Sequence, residues 1–275
     1  MSMDISDAFI KQYESDVHMA YQRMGSKLRN TVRSKPNVKG SSTTFQKVGK
    51  GTAVTKARHG EISTMNIDHT PVECTLQDWY AGDYIDKLDE LKTNIDERMV
   101  VAQSAAAALG RKSDELIINA LDPATNVTTE SGTALLTTGK INTVFSYFGD
   151  NDVPDDGGRY WSVNADQWTD LLGITAFSSA DYVGIDQLPY KAGMAAKIWM
   201  TFLWSTHSGL PKTGNIRRTF AYHRSAVGHA SGAEVQSEIN YVPTRVAHLA
   251  TSMMSQGAVL IDATGVFEVQ AYEAA

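Results

Sequence analysis

The sequence has one cysteine, seven prolines and no long apolar run among its 275 residues. A single thiol, Cys74, cannot form an intramolecular disulfide or a cysteine-based metal cluster, so we expect synthesis in a reducing cytoplasm. No run approaches the ~18 apolar residues that a membrane-spanning helix needs. Acidic residues precede the first apolar ones at the N-terminus, which is unlike a secretory signal. We therefore expect no membrane partner.

Acidic residues are missing from residues 17–60, although the chain as a whole has a net charge of −6. This stretch contains ten of the 25 basic residues, and the segment that follows it is acidic. Opposite charges on two parts of one chain predict attraction between neighbouring copies. Two other interpretations stay open: the charges are simply solvated, or residues 23–58 bind nucleic acid. Phe45 is the only aromatic residue in 23–58, so base stacking is not indicated.

Residues 83–121 have apolar side chains at every third or fourth position, which predicts one long amphipathic helix. At 1.5 Å per residue this helix would be about 60 Å long. Gly110 is its weak point, at a cost of about 1 kcal/mol relative to alanine. Its charged face includes Asp86, Asp89, Glu90, Asp96, Glu97, Asp114 and Glu115. We interpret it as a rod lying against a sheet, with the charged face solvated or turned towards another subunit.

The residues before this rod predict a helix and a hairpin. A helix is expected over 4–28, with its apolar stripe formed by Ile5, Phe9, Tyr13, Val17, Ala20, Met24 and Leu28. Residues 38–78 predict an extended β-hairpin, with short alternating runs at 44–48, 62–67 and 72–76. Such a hairpin cannot bury enough apolar surface to be stable alone. It must be mobile in a free monomer or lie on another surface.

The remainder of the chain predicts mixed helices and strands, mostly in antiparallel sheet. Helices are expected at 141–148, 164–172 and 225–230. Strands are expected at 160–163, 198–204, 220–222, 234–242 and 245–254, and a closing hairpin pairs 258–261 with 266–269. The predicted fold class is α+β.

The sequence contains no recognisable catalytic, metal-binding or cofactor-binding constellation. The seven histidines form no HExxH and no pair with metal-ligand spacing, and there is no GxSxG. Cys74 alternates with Val72 and Leu76 in a strand, which suits a small core hydrophobe. The acidic loop 150–158 lacks the alternation and the terminal glutamate of a calcium loop. We predict that the protein is not an enzyme and holds no metal or cofactor.

Several segments, in their order along the chain, resemble one known family. They are FQKVGKGTA at 45–53, AAAALGRKSD at 105–114, WSVNADQWTDLL at 161–172, AYHRSAVG at 221–228 and QGAVLID at 256–262. Together with the order of the elements, they resemble the major capsid proteins of tailed bacteriophages, which have the Hong Kong 97-type fold. The resemblance covers nearly the whole chain.

The resemblance implies a division of the chain and a function. The implied parts are an N-terminal arm (1–37), an extended loop (38–78), a peripheral domain with the spine helix 83–121 (79–154), an axial domain (155–240) and return strands of the peripheral domain (241–275). The implied function is a coat protein that self-assembles as hexamers and pentamers into the icosahedral phage head, inside the host bacterial cytoplasm. Contact with the enclosed double-stranded DNA would be weak and independent of sequence.

The resemblance also implies partners and an interface. The sequence begins at Met1 with no long charged pro-segment, so a separate scaffolding protein is expected, with a portal and room for a decoration protein. The extended loop would lie across a neighbouring subunit. Interface residues would then be, on the loop and basic arm, Arg23, Lys27, Arg29, Arg33, Lys35, Lys39, Phe45, Lys47, Lys50, Lys56 and Arg58, and on the acidic helix Asp86, Asp89, Glu90, Asp96 and Glu97.

Three alternatives remain open on the sequence. An encapsulin-type nanocompartment shell has the same fold, but it would bind a cargo peptide, for which no site is recognisable. A nucleic-acid-binding protein would use residues 23–58 and would bind DNA as a monomer in a salt-sensitive way. A soluble enzyme with an unrecognised site has no positive support.

Overall fold

The computed structural model describes residues 25–90, 97–128, 134–179 and 197–273. The chain divides into two compact units. Unit 1 comprises Met1–Gly25, Asp78–Arg111 and Glu234–Met254, and unit 2 comprises Ser26–Gln77, Lys112–Ala233 and Ser255–Ala275. Helices and strands are mixed along the chain, which confirms the α+β class. No described helix is both long enough and apolar enough to cross a membrane.

The elements follow one another with these bounds. The strands are β1 (Arg33–Lys35), β2 (Ser42–Val48), β3 (His69–Thr75), β4 (Gln77–Asp86), β5 (Arg159–Val163), β6 (Lys197–Trp199), β7 (Phe202–Thr206), β8 (Lys212–Thr213), β9 (Ile216–His223), β10 (Val227–Val242), β11 (Ala247–Leu260) and β12 (Val266–Tyr272). The helices are α1 (Lys87–Glu90), α2 (Glu97–Leu121), α3 (Thr138–Asp150), α4 (Ala165–Leu172) and α5 (Thr175–Ser178).

A six-stranded sheet forms the centre of unit 2, in the order β12–β9–β5–β7–β6 with β8 paired to β9. Parallel pairing of β5 and β7 places Trp161 beside Trp204, and their ring centroids stack 4.3 Å apart. Both indoles are fully buried. Phe148 of α3 and Trp168 of α4 belong to the same buried cluster. Side chains of this size contribute most of the burial free energy of a core.

Two further sheets complete the described topology. One has four strands in the order β1–β10–β11–β4, and the other is the two-stranded pair β2–β3. β1 runs parallel to β10, with Arg33 opposite Gly228. In unit 1, a Cβ on Gly82 of β4 would lie only 2.6 Å from the carbonyl oxygen of Ala250. Glycine is therefore required where these two backbones approach each other.

The long helix begins later than its periodicity predicts. Residues 83–86 belong to β4 and the helical conformation starts at Lys87, where Asp86 Oδ1 accepts a hydrogen bond from Leu88 N at 2.7 Å. The aromatic and β-branched side chains of 79–85 favour a strand, and pairing in the four-stranded sheet decides between the two patterns. α2 then runs from Glu97 to Leu121.

Four shorter predictions were also wrong. Residues 198–204 form two strands, because Met200 and Thr201 both have positive φ and make a two-residue hairpin turn without the Asn-Gly signal usual for it. The predicted helix 225–230 is one 3₁₀ turn followed by β10. Residues 62–67 are not a strand. β11 and β12 do not form a hairpin, because the 3₁₀ turn Ala263–Gly265 passes the chain to the other sheet, where β12 pairs with β9.

Other predictions were confirmed by the described elements. The hairpin strands β2 and β3 pair antiparallel, and α3, β5 and β9 lie where they were expected. Asn164 precedes α4, and its backbone N donates to Gln167 Oε1 at 3.1 Å. The predicted helix 4–28 falls outside the described residues except for 25–28, which are not helical. Gly25 has φ +68°, in the left-handed region that favours glycine.

Candidate assembly surfaces

The base of the β2–β3 hairpin is fixed by packing within unit 2. Phe45 and Cys74 are 2% and 1% exposed and share a small cluster with Ala230 and Ile261, and this burial raises the pKa of the Cys74 thiol. A Cβ on Gly228 would lie 2.7 Å from the Phe45 ring. Phe45 was predicted to lie at a subunit interface, but here it anchors the hairpin to its own chain.

The loop that joins the two strands, residues 49–68, has the opposite character. Every residue from 49 to 66 is exposed except the half-buried Gly60. Between described residues, backbone hydrogen bonds close only its base, Gly49 N to Asp68 O, and one turn, Gly60 N to Ala57 O. Its apolar side chains stay in solvent: Val54, Ile62 and Met65 are 59%, 75% and 54% exposed. Exposed apolar groups on a segment with so few internal bonds are typical of a binding segment.

The predicted basic interface residues divide into three groups. Lys47 and Lys50 form ion pairs within the chain, Lys47 Nζ to Asp262 Oδ1 at 2.9 Å and Lys50 Nζ to Asp152 Oδ2 at 3.0 Å. Most of the others are exposed, namely Lys27, Arg33, Lys35, Lys39, Lys56 and Arg58, whereas Arg29 is half-buried. Arg23 lies outside the described residues. Lys39, Lys56 and Arg58 make no ion pair with a described residue, so their charges are available to another surface.

The predicted acidic interface set is described only in part. Asp86 is exposed at the end of β4 and caps the first turn of α1, so it does not lie on a long helix. Asp96 and the side chains of Asp89, Glu90 and Glu97 lie outside the described residues. The attraction between a basic arm and an acidic helix therefore remains a prediction.

Asp114 was predicted on the charged face of the long helix, either solvated or turned towards another subunit, but it is fully buried within its own chain. Its carboxylate accepts hydrogen bonds from Ser26 Oγ at 2.5 Å, Lys27 N at 3.1 Å and Leu28 N at 3.0 Å. Burial opposes its ionisation, yet the bonds from His207, Ser26 and the two backbone N–H groups outweigh burial and lower the pKa of Asp114. The carboxylate thereby fixes the backbone of residues 26–28 to α2 within unit 2.

His207 completes this buried site. Its Nε2 lies 3.0 Å from Asp114 Oδ2, and its Nδ1 accepts from Gly209 N at 3.1 Å. Because Nδ1 is an acceptor, Nε2 carries the proton that bonds the carboxylate. The sequence did contain a signal for this site: Asp114 falls between Gly110, Ile117 and Leu121 at helical spacing, and all three are buried. A charged residue inside an inward-facing stripe indicates a hydrogen-bonded carboxylate.

A second buried carboxylate, Glu273, follows the end of β12 and was also missed. Arg217 donates to it from two nitrogens, at 2.8 and 2.7 Å, and Lys212 Nζ lies 3.0 Å away. Asn164 and Gln167 each donate at 3.3 Å. The bidentate Arg217 holds the pKa of Glu273 far below its usual range. This network joins β9 and the start of α4 to the end of the chain within unit 2.

His223 lies between a serine and an aspartate, which invites comparison with a catalytic triad. Ser225 Oγ is 2.7 Å from Nδ1, and Asp156 Oδ1 is 3.0 Å from Nε2. However, the backbone N of Ser225 bonds the same Nδ1, so the contact caps the 3₁₀ turn Arg224–Ala226. His223 itself is buried. The described residues contain no group of three His, Cys, Asp or Glu that could bind a metal.

Solved structures with the same fold are capsid subunits. One titled "Capsid structure of the Cyanophage P-SCSP1u" matches with TM-score 0.77 and 16% identity, covering 100% of this chain and 96% of that one. "Mycobacterium phage Che8" matches with TM-score 0.75 and 20% identity, over 95% and 97%. "Cyanophage Pam1 capsid asymmetric unit" matches with TM-score 0.74 and 13% identity, over 98% of both chains. A comparison with curated protein sequences found no match.

The fold is therefore that of a viral shell subunit, as the resemblance to the Hong Kong 97-type fold predicted. A family model described as "Phage capsid protein" matches residues 5–273. The chain belongs to this phage capsid protein family, and its function is that of the major capsid protein of a phage head. The nucleic-acid-binding and encapsulin alternatives are not favoured.

Proposed function

We propose that the chain assembles as hexamers and pentamers in the host cytoplasm, and that the loop 49–68 binds a neighbouring subunit in these assemblies. The observation that carries the proposal is the contrast along one hairpin. Its base is held by Phe45 and Cys74, and its tip exposes three apolar side chains and uncompensated positive charge. A hairpin tip that makes few contacts with its own chain gains the most free energy from binding to a partner surface.

Removing only the tip tests this role. Gly49 N and Asp68 O are 2.8 Å apart, so residues 50–67 can be replaced by an Asn-Gly turn, which closes a two-residue hairpin. The variant keeps Phe45 and Cys74 and should fold like the wild type. Negative-stain electron microscopy after size-exclusion chromatography should show closed shells for the wild type and none for the variant.

Two outcomes of this experiment are decisive. Closed shells of normal size from the tip-deleted variant would contradict the role given to the loop. A wild-type chain that stays monomeric at every salt concentration, even with a candidate scaffold added, would contradict assembly itself.

A charge variant separates electrostatic from apolar binding. We expect Lys56→Glu with Arg58→Glu to slow assembly at low salt, with partial recovery at high salt because screening weakens repulsion. Ile62→Ser with Met65→Ser should slow assembly at every salt concentration. If the assembly rates of the two variants depended on salt in the same way, charged and apolar side chains would not make separate contributions to binding. Scaffolding, portal, decoration and DNA partners stay predictions.

A further inference from the structure

One side of β10 in unit 1 carries apolar groups that remain half exposed. Successive side chains alternate across a strand, so Val235, Ile239 and Tyr241 point to the same side. Their exposed fractions are 39%, 45% and 46%. We refer to these three residues as the β10 stripe. Single exposed apolar residues are ordinary, but a row of three on one strand marks a binding surface.

The neighbouring strand shows that this face of the sheet is covered next to the stripe. Ser237 of β10 faces Ser252 of β11, with their hydroxyl oxygens 2.7 Å apart. This register places the stripe opposite Ala250 and Met254 of β11, which are 0% and 2% exposed. The face is therefore closed over β11 and open over β10. The β10 stripe is therefore an exposed apolar row beside a covered surface. Such a row suits the packing of an elongated apolar segment.

The chain itself supplies a segment of suitable length and pattern. Residues 1–24 lie outside the described structure, and their sequence places an apolar residue at every third or fourth position: Ile5, Phe9, Tyr13, Val17, Ala20 and Met24. As a helix they would extend about 35 Å, and residues 234–241 of the strand extend about 25 Å. An isolated helix of this length is marginal in water and needs an apolar surface.

The point of attachment lies in the same unit as the stripe. A Cβ on Gly110 of α2 would lie 2.7 Å from Gly25 Cα, so the segment leaves the described chain directly at α2. Tethering of this kind gives the segment a high effective concentration at nearby surfaces. A second copy of the chain would have to compete with it.

Local charge also suits this occupant. Residues 5–24 contain three acidic residues, all between positions 7 and 16, and two basic residues. The end of the β10 stripe carries one cation close to it: Lys87 Nζ lies 5.9 Å from the Tyr241 ring centroid, and the His248 ring is 5.2 Å from the same ring. The exposed Asp83 and Asp86 precede Lys87 in the sequence. Arg245 stacks over Tyr84 nearby in the same unit, at 4.4 Å. Acidic side chains flanking an apolar stripe would be attracted to this end.

We propose that the β10 stripe is the docking site for residues 5–24 of the same chain. Docking covers the exposed apolar row of unit 1 in the free subunit. It leaves the loop 49–68 as a separate surface for neighbouring copies. The inference concerns the unassembled subunit, so its test does not depend on shell formation.

Cysteine accessibility in the full-length monomer tests the proposal. Cys74 is 1% exposed, so we expect it to react slowly, and the wild-type chain measures this background. Ile239→Cys is alkylated with a maleimide in the otherwise native chain and in a chain with Phe9→Asp and Tyr13→Asp, which breaks the N-terminal stripe. We expect alkylation to be about tenfold faster in the broken-stripe chain, because the docked segment shields the thiol.

The matched control is Gln236→Cys, an exposed position on the opposite side of the same strand. Its alkylation rate should be the same in both backgrounds. Equal rates for Ile239→Cys in the two backgrounds would overturn the proposal. A parallel rise at Gln236→Cys would indicate loss of the strand and would also count against docking. If Ile239→Cys is protected from alkylation only at high protein concentration, a second copy of the chain covers the β10 stripe. That result would refute the intramolecular site.

Discussion

The six-stranded sheet and the loop 49–68 belong to the same unit, yet they place their apolar side chains in opposite environments. Trp161 and Trp204 are fully buried and stacked on each other, whereas Ile62 is 75% exposed. The sheet's burial free energy is gained when the subunit folds. The loop's apolar area is still in water at that point, so its burial can contribute only to binding another surface. If the loop has the role proposed for it, folding and assembly use different residues of one unit.

Truncating one side chain in each region gives the most direct test of this difference between the sheet and the loop. We expect Trp161→Ala to lower the free energy of unfolding by about 3–5 kcal/mol, since it leaves a cavity against Trp204 and Phe202. We expect Ile62→Ala to change it by less than about 0.5 kcal/mol. Urea unfolding followed by fluorescence or circular dichroism measures both. A comparable loss at Ile62 would mean that the loop is packed in the free subunit.

The buried carboxylate Asp114 gives the next largest effect. Asp114→Asn should cost about 3 kcal/mol at pH 7, because one amide cannot accept all the hydrogen bonds that converge there. The folded-state pKa of Asp114 is lowered, so its contribution is full above the unfolded value of about 3.9, declines below that value, and is lost as pH falls through the lower folded-state pKa.

The pH dependence of unfolding checks this assignment. Between pH 7 and pH 3, the wild type should lose more stability than Asp114→Asn does. Asp150→Asn, at an exposed position at the end of α3, is the matched control and should follow the wild-type curve. Identical pH dependence in Asp114→Asn and the wild type would show that another carboxylate is responsible.

How far the sequence could predict this fold depends on whether local pattern or distant pairing decides each element. α4 was predicted correctly because its cap and apolar spacing lie within ten residues. β12 was assigned to the wrong partner, because its hydrophobic pattern does not reveal that β9, more than 40 residues earlier, supplies the neighbouring strand. Residues 83–86 were assigned to the helix because both patterns fit them, and only pairing within the sheet selects the strand.

The candidate surfaces show the same limit. The hairpin was predicted from alternation and from its lack of large apolar residues, and both properties are local. That Phe45 would be buried at its base depended on Gly228, a contact across more than 180 residues. The inward position of Asp114 could have been predicted from its place in the helical stripe. Its partners Ser26, Leu28 and His207 could not, since no spacing relates them to the helix.

Two helical glycines give a further comparison, since Gly110 lies at an enclosed position and Gly149 at an open one. Helix propensity predicts that Gly110→Ala stabilises α2 by about 1 kcal/mol. The structure predicts that the substitution destabilises the protein instead, because the new Cβ would lie 2.7 Å from Gly25 Cα and 2.8 Å from Gly25 C. We expect a net loss of about 1–3 kcal/mol. Gly149→Ala in α3, where a Cβ meets nothing within 4 Å, should stabilise. A thermal shift of the same sign in both variants would contradict the contact.

The smallest effects are expected where the hairpin is tied to its own chain by charge. Lys50 and Asp152 are 76% and 80% exposed, and Lys47 and Asp262 are 40% and 32% exposed. Because solvent screens exposed pairs, Lys50→Ala should change the free energy of unfolding by less than about 0.5 kcal/mol, and Lys47→Ala by up to about 1 kcal/mol. Thermal unfolding at low and at high salt should show the difference between the two variants shrinking as salt rises. A larger loss of unfolding free energy for Lys50→Ala than for Lys47→Ala would mean that the fixed part of the hairpin extends beyond Val48. The segment proposed for assembly would then have to begin closer to the tip of the loop.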